Sequence, residues 1–178
     1  VAQVELTYRV MYGEHIVVAM HDDGQGQDSV AGDGIYTTVI PAAIAKPGEM
    51  IRWYITASDS KGLTGRLPAN RVAAKDEEYL GTIVADASIS SQLPVFHMFV
   101  ESFARASTTT GESGSMFYDG EFYDNVLYSL HGQSSSGFPT PKKSLNVDFP
   151  NDHRLRLRDD LQRMEDINLL TNFADKAK

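Results

Sequence analysis

The sequence predicts a mainly β chain with a smaller α+β part, built from two successive units. Short β-rich runs separated by turn clusters fill the first half. The character of the sequence changes near residues 86–92, and a helical spacing of apolar residues occurs only near the end. The 178 residues are enough for one ordinary domain or two small ones. We therefore expect a β-sandwich over residues 1–86 and a second unit over residues 87–178.

Five runs in the first half predict strands, because β-branched and aromatic residues dominate them and turn residues separate them. They cover residues 4–10, 15–20, 35–40, 50–57 and 79–84. Between the third and fourth runs, Pro41 and Pro47 exclude a regular central strand, and Pro47-Gly48 is a turn signal. This spacing favours antiparallel neighbours in a sandwich.

The second half continues as sheet and ends in a predicted helix. Residues 93–100 are almost all apolar, which indicates a buried strand, and further β-like segments cover residues 116–118, 122–130 and 143–149. Near the end, apolar residues recur at steps of three and four, and two aspartates lie near the start of this pattern. These residues are Leu157, Leu161, Met164 and Ile167, with Asp159 and Asp160. We predict one amphipathic helix there.

The composition argues against several classes of function. The net charge of −8 disfavours broad binding to nucleic acid or to an anionic membrane, since both need clustered basic residues. Without cysteine, neither a disulfide framework nor a cysteine-based zinc site is possible. No apolar run approaches the roughly 20 residues that span a bilayer. The chain opens in a strand-like run without a signal peptide, so we expect a trimmed piece of a longer protein.

An acidic, glycine-rich loop over residues 22–36 is the first candidate site. Its four carboxylates belong to Asp22, Asp23, Asp28 and Asp33. Calcium takes six to eight oxygen ligands, and a loop rich in glycine can fold several carboxylates around one ion. The alternative is a turn that closes without an ion, because aspartate and glycine are both turn formers. The spacing does not fit the D-x-[DN]-x-[DN]-G calcium loop.

This first unit resembles the immunoglobulin-like or fibronectin-like modules of bacterial surface proteins. The residues that carry the resemblance are 22–36, 40–42, 53–59 and Gly62. The resemblance implies a spacer or adhesive module outside the cell, so we expect a secreted or cell-surface protein.

A strand, a glycine- and serine-rich turn and a strand that opens with two lysines form the second candidate site. Backbone amides of the turn can point at phosphate oxygens, and a lysine on the next strand can supply positive charge. The candidate residues are Gly132, Ser134, Ser135, Lys142 and Lys143. Neither a Walker motif nor a G-x-G-x-x-G loop is present. The alternative is a polar hairpin beside a solvated basic edge.

These segments also resemble successive blocks of the spore coat protein H (CotH) kinase family. The similarity covers residues 91–178 and includes the segments 93–97, 117–126, 130–135, 141–149 and 167–176. It implies a partial kinase-like N-lobe from an atypical, often secreted kinase that uses ATP with Mg or Mn and a protein acceptor. His131-Gly132 stands where family members often carry Arg-Gly. We expect the catalytic and metal-binding aspartates beyond residue 178, and hence no phosphate transfer by this chain alone.

Lys142 and Lys143 are expected to lie on different faces of the predicted strand. On a strand, Lys143 shares a face with the apolar Leu145 and Val147, whereas Lys142 lies on the other face. A lysine on an apolar face must find an anionic partner, because burying an unpaired ammonium costs several kcal/mol. The kinase resemblance implies a nucleotide phosphate and a helix carboxylate, for which Glu165 is the candidate. The competing hypothesis is a structural or adhesive module without catalysis.

Overall fold

The chain divides into two units, residues Val1–Val95 and Phe96–Lys178. The computed structural model describes residues 1–70, 77–132 and 143–170. Each unit contains one five-stranded antiparallel sheet, and helix is confined to two short segments among these residues. The prediction of a mainly β chain with a smaller helical part is therefore confirmed. None of the helices in the described ranges is long and apolar enough to cross a membrane.

The first unit is built around a long central strand. Its strands are β1 (Gln3–Val10), β2 (Ile16–Ala19), β3 (Met50–Ser58), β4 (Thr64–Leu67) and β5 (Leu80–Ile83). Strand β3 pairs with β1 over residues 51–58, while β4 and β5 share its other edge. Strand β2 pairs with the free edge of β1. A short 3-10 helix, Ala42–Ile44, precedes β3.

The two faces of the first sheet differ in chemistry, because side chains alternate along each strand. Leu6 opposes Ile55 and Tyr8 opposes Trp53, which makes one face apolar. Thr7 opposes Tyr54 on the other face. Leu6 and Tyr8 are buried, so the apolar face supplies core.

One predicted strand of the first unit is wrong and another was missed. Residues 35–40 form no strand, and only Thr37 pairs there, in a single bridge with His21. Gly34, at φ 86°, and Pro41, which has no amide hydrogen, limit regular pairing on either side. Strand β4 was missed because Thr-Gly-Arg-Leu carries no apolar alternation.

The second unit is a meander in which each strand pairs with the next along the chain. Its strands run in the order β10-β9-β8-β7-β6. They are β6 (His97–Val100), β7 (Glu112–Tyr118), β8 (Glu121–Leu130), β9 (Leu145–Asp148) and β10 (Asp166–Leu169), with helix α1 (Phe103–Ala106) between β6 and β7. Met116, Tyr123 and Val147 have no exposed surface and lie in the core. The α1 helix starts at Ser102, whose hydroxyl accepts from the Arg105 amide.

Tight geometry joins the central strands of this sheet. Asp119 and Gly120 connect β7 to β8 with φ values of 47° and 80°, as a two-residue hairpin with the twist of the sheet requires. The β7–β8 register then shifts beside Gly114. A Cβ atom on Gly114 would lie 2.1 Å from the carbonyl oxygen of Phe99, so only glycine fits where β6 approaches β7.

The predicted helix around residues 157–167 is wrong. Leu155 and Met164 pair in an antiparallel bridge, and β10 follows directly. Leu155 is fully buried whereas Leu161 is 43% exposed, so the apolar residues do not form one buried stripe. Ile167 pairs with Val147 of β9, so the end of the predicted helix is a strand of the sheet.

The apolar run at residues 93–100 is only partly a strand. Strand β6 begins at His97, and Leu93 is 76% exposed. Within β6, Phe99 is buried while Met98 is 38% exposed. The prediction of a buried strand over this whole segment is therefore only partly right, since β6 is an edge strand of the meander.

Candidate functional site

The aspartate-rich loop begins directly after β2 and is closed at its base by backbone hydrogen bonds. The amide of His21 donates to the carbonyl of Thr37 at 2.9 Å, and the Thr37 amide donates back at 2.8 Å. The 15 residues between these two form one closed loop. Closure brings its two acidic ends together, although they are separated by ten residues in the chain.

Asp22 organises the far side of the loop. Its carboxylate accepts from the amides of Gly32 at 2.6 Å, Asp33 at 3.2 Å and Gly34 at 2.9 Å. Gly32 and Gly34 adopt φ values of 76° and 86°, which favour glycine and turn successive amides toward one point. This concave arrangement of amides neutralises part of the charge on the Asp22 carboxylate.

Asp28 is the buried carboxylate of the loop, with 5% of its surface exposed. It accepts from the amide of Gly24 at 2.6 Å and from that of Val30 at 3.3 Å. The Gly24 hydrogen bond is the main reason that the pKa of Asp28 lies below its ordinary value, although burial opposes it. Asp28 is therefore ionised at neutral pH.

Three of the four predicted metal ligands converge. Carboxylate oxygens of Asp22, Asp28 and Asp33 all lie within 4.8 Å of one another. Asp23 is outside this group, and its carboxylate accepts from the amide of Gln25 at 3.0 Å. Oxygen-only donors of this charge fit a hard divalent cation such as calcium, whose remaining ligands would be carbonyls or waters. The same backbone hydrogen bonds also fit the alternative of a closed turn.

Two residues of the predicted phosphate site lie at one end of the β8–β9 hairpin. Leu130 pairs with Leu145, and the amide of His131 donates to the carbonyl of Ser144 at 2.9 Å. Gly132, with φ 85°, follows β8, and Lys143 precedes β9 by two residues. The ends of the connecting segment are therefore side by side. Ser134, Ser135 and Lys142 lie outside the described residues.

The alternation predicted for β9 is confirmed. Leu145, Val147 and Phe149 are buried, whereas Asn146 is half-buried and Asp148 is exposed. Lys143 precedes this alternating series and is half-buried.

Glu165 does not lie on a helix, contrary to prediction. Its carboxylate pairs with the guanidinium of Arg154, and its carbonyl accepts from the Phe149 amide at 2.7 Å. Glu165 belongs to the strand-like return that follows Met164 and leads into β10. Glu165 is therefore not the helix carboxylate that the kinase resemblance implied as a partner of Lys143.

The second unit also contains a carboxylate network that the sequence did not indicate. Glu121 lies 2.9 Å from His153, 3.1 Å from Arg156 and 2.8 Å from Arg163. Burial raises the pKa of Glu121, but hydrogen bonds from Arg163, His153 and Tyr123 outweigh it and lower the pKa to about 2. Arg163 is 42 residues away in the chain, so no local motif could have revealed the network. It ties the segment after β9 to the start of β8.

No protein-family model, no curated protein and no solved structure matches the chain.

Proposed function

We propose that the chain is part of a secreted or cell-surface atypical kinase of the CotH type, in which the second unit contributes to an ATP-binding lobe. The observation that carries this proposal is the β8–β9 hairpin, which places Gly132 and Lys143 at the same end of an antiparallel sheet. That juxtaposition suits a backbone turn that contacts phosphate next to a basic side chain.

The chemistry expected of this site is nucleotide binding. Amides near Gly132, Ser134 and Ser135 would contact phosphate oxygens, and Lys143 would neutralise part of the phosphate charge, together with Mg or Mn ions. Lys142, on the opposite face of the predicted strand, would remain in solvent. Transfer to a protein acceptor would require an aspartate base and metal-binding carboxylates, roles that we assign to none of the residues described here.

Isothermal titration calorimetry of the chain with ATP and MgCl₂ tests this proposal. We expect Lys143→Met to weaken ATP binding at least about tenfold, roughly 1.4 kcal/mol, and Lys142→Met to leave the affinity nearly unchanged. Lys142→Met is the matched control, since it removes the same charge one residue away. Equal loss from both variants, or no measurable binding by the unaltered chain with either metal, would contradict the proposal.

A second function is favoured for the first unit, namely a calcium-stabilised spacer or adhesive module with an immunoglobulin-like or fibronectin-like sandwich. The convergence of Asp22, Asp28 and Asp33 within 4.8 Å supports it. Bringing three carboxylates so close costs electrostatic energy, which a divalent cation would remove. This function requires no catalysis.

Thermal unfolding with calcium or with a chelator tests the second function. A ligand that binds only the folded state at a hundredfold excess over its Kd stabilises it by about 2.7 kcal/mol, so calcium should raise the Tm. Asp33→Asn should abolish this rise, and Asp23→Asn should keep it. The two aspartates are matched, because each is exposed and accepts from the amide two residues ahead. A Tm that is the same in calcium and in chelator would contradict calcium binding and support a loop that closes without an ion.

A further inference from the structure

Methionine sulfur is the main target that this chain offers to a mild oxidant, because the sequence contains no cysteine. All six methionines lie in the described ranges, namely Met11, Met20, Met50, Met98, Met116 and Met164. Of Met98, 38% of the surface is exposed, whereas each of the other five is buried or half-buried. Susceptibility to oxidation follows exposure, so an oxidant in solution reaches Met98 most easily.

Met98 lies at the rim of the core of the second unit. It stands directly opposite Met116 in the β6–β7 ladder, and residues opposite each other in an antiparallel pair share one face of the sheet. Met116 has no exposed surface and belongs to the core, against which Val100 also packs. Met98 therefore contributes to the core face of β6 while part of its surface stays in solvent.

The other accessible methionines are better protected. The Sδ atom of Met11 accepts a hydrogen bond from the Met50 amide at 3.3 Å, which engages a lone pair that an oxidant would need. Met164 pairs with Leu155 and packs against the core of the second unit. Met20, directly after β2, is half-buried. Exposure and hydrogen bonding both favour Met98 as the first methionine to react.

Strand β6 is held to the meander on one side only. Among the described strands it pairs with β7 alone, over four residues. On the face away from Met98, Phe99 is buried and the His97 ring lies 6.2 Å from that of Phe117. On the core face, Met98 and Val100 are the side chains of β6. A strand with one neighbour opens at a lower free energy when it loses apolar contacts on one face.

We propose that Met98 is a modification site for hydrogen peroxide, and that its conversion to the sulfoxide weakens the attachment of β6 to the second unit. A sulfur lone pair attacks one peroxide oxygen, so that the O–O bond breaks and an S–O bond forms. The other oxygen leaves as hydroxide and takes up the proton of the transferred oxygen, which gives water. Sulfur loses two electrons and the peroxide gains them.

The sulfoxide changes the contribution of Met98 to the core face. It is polar and chiral where the thioether was apolar and flexible. A polar group without a hydrogen-bond partner is unfavourable against a core, so the modified side chain turns toward water. The site shares no residue with the aspartate-rich loop or with the β8–β9 hairpin, and it is independent of the functions proposed above.

Peptide mass spectrometry and hydrogen–deuterium exchange of the chain in dilute hydrogen peroxide test the proposal. We expect Met98 to be oxidised before the other five methionines. In the chain that is oxidised at Met98 alone, the amides of β6 should exchange about tenfold faster than before treatment. Strand β10 is the internal control, because it is the opposite edge of the same sheet and should exchange as before.

Substitutions assign the effect to the sulfur of Met98. Met98→Leu keeps an apolar side chain of similar volume, so peroxide should no longer change the exchange of β6. Met164→Leu is the matched control and should respond to peroxide as the unaltered chain does. If Met98→Leu does not fold, the order of oxidation and the exchange of the unaltered chain decide. Earlier oxidation of another methionine, unchanged exchange of β6 after oxidation of Met98, equal acceleration in β10, or acceleration that persists in Met98→Leu would overturn the proposal.

Discussion

Glu121 illustrates how single residues of the second unit depend on distant partners. Two arginines and a histidine surround its carboxylate, and Tyr123 adds a hydrogen bond. Because the folded-state pKa is about 2, below the ordinary glutamate value of 4.5, the ionised form is favoured in the folded state. The resulting stability is present above pH 4.5 and is lost as the pH falls toward 2. The network thus links chain segments more than 30 residues apart.

Glu121→Gln should remove this pH-dependent stability. We expect a loss of about 2 kcal/mol at pH 7, and a shallower fall in the free energy of unfolding between pH 4.5 and 2 than in the unaltered chain. Urea unfolding at a series of pH values measures both. Asp159→Asn is the control, because Asp159 also pairs with Arg156 but its side chain is 90% exposed, and its loss should cost less than about 0.5 kcal/mol. Equal losses from both variants would contradict the special role of Glu121.

At the scale of elements, the β9–β10 pair carries an unfavourable contact. Asp148 and Asp166 lie directly opposite each other. Burial and the charge of Asp166 raise the pKa of Asp148, so its ionised form is disfavoured in the folded state. The penalty is present at neutral pH and disappears once the pH falls below the unfolded-state pKa, near 4. Strand β10 is therefore held by its apolar and backbone contacts against this repulsion.

Asp148→Asn should stabilise the second unit. Because Asp148 is exposed, solvent screening limits the gain to about 0.3 kcal/mol at pH 7 and low salt. The gain should shrink in 1 M salt and vanish near pH 3. Asp166→Asn should give a similar gain, and the double variant should show less than the sum. Denaturant unfolding at two salt concentrations checks these values, and a gain that is unaffected by salt would rule out repulsion as its cause.

For several strands, the local sequence pattern was sufficient to predict the secondary structure. Strands β1, β3, β8 and β9 were predicted within a few residues, because alternation and β-branched or aromatic residues are properties of each segment itself. The helix predicted around Met164 failed for the opposite reason. Its apolar spacing is compatible with a helix, but Leu155 and Met164 pair as a bridge, and the residues from Asp166 to Leu169 pair with β9.

At the scale of the whole molecule, each unit carries separate candidate chemistry. The first unit holds the aspartate-rich loop, and the second holds the β8–β9 hairpin. Calcium and ATP are therefore expected to act on different residues. The variants proposed for each site leave the other intact, so the two ligands can be tested in one protein.

The sequence by itself determined that the chain is mainly β, where several strands lie and which residues alternate inward on β9, because these features depend on neighbours within a few positions. Only the tertiary structure decided that Asp33, and not Asp23, joins Asp22 and Asp28, since amides ten to twelve residues away orient Asp22. It likewise decided that Arg52 and Arg66, on separate strands, meet at Tyr79. Such contacts depend on strand register and loop closure, which no local spacing records.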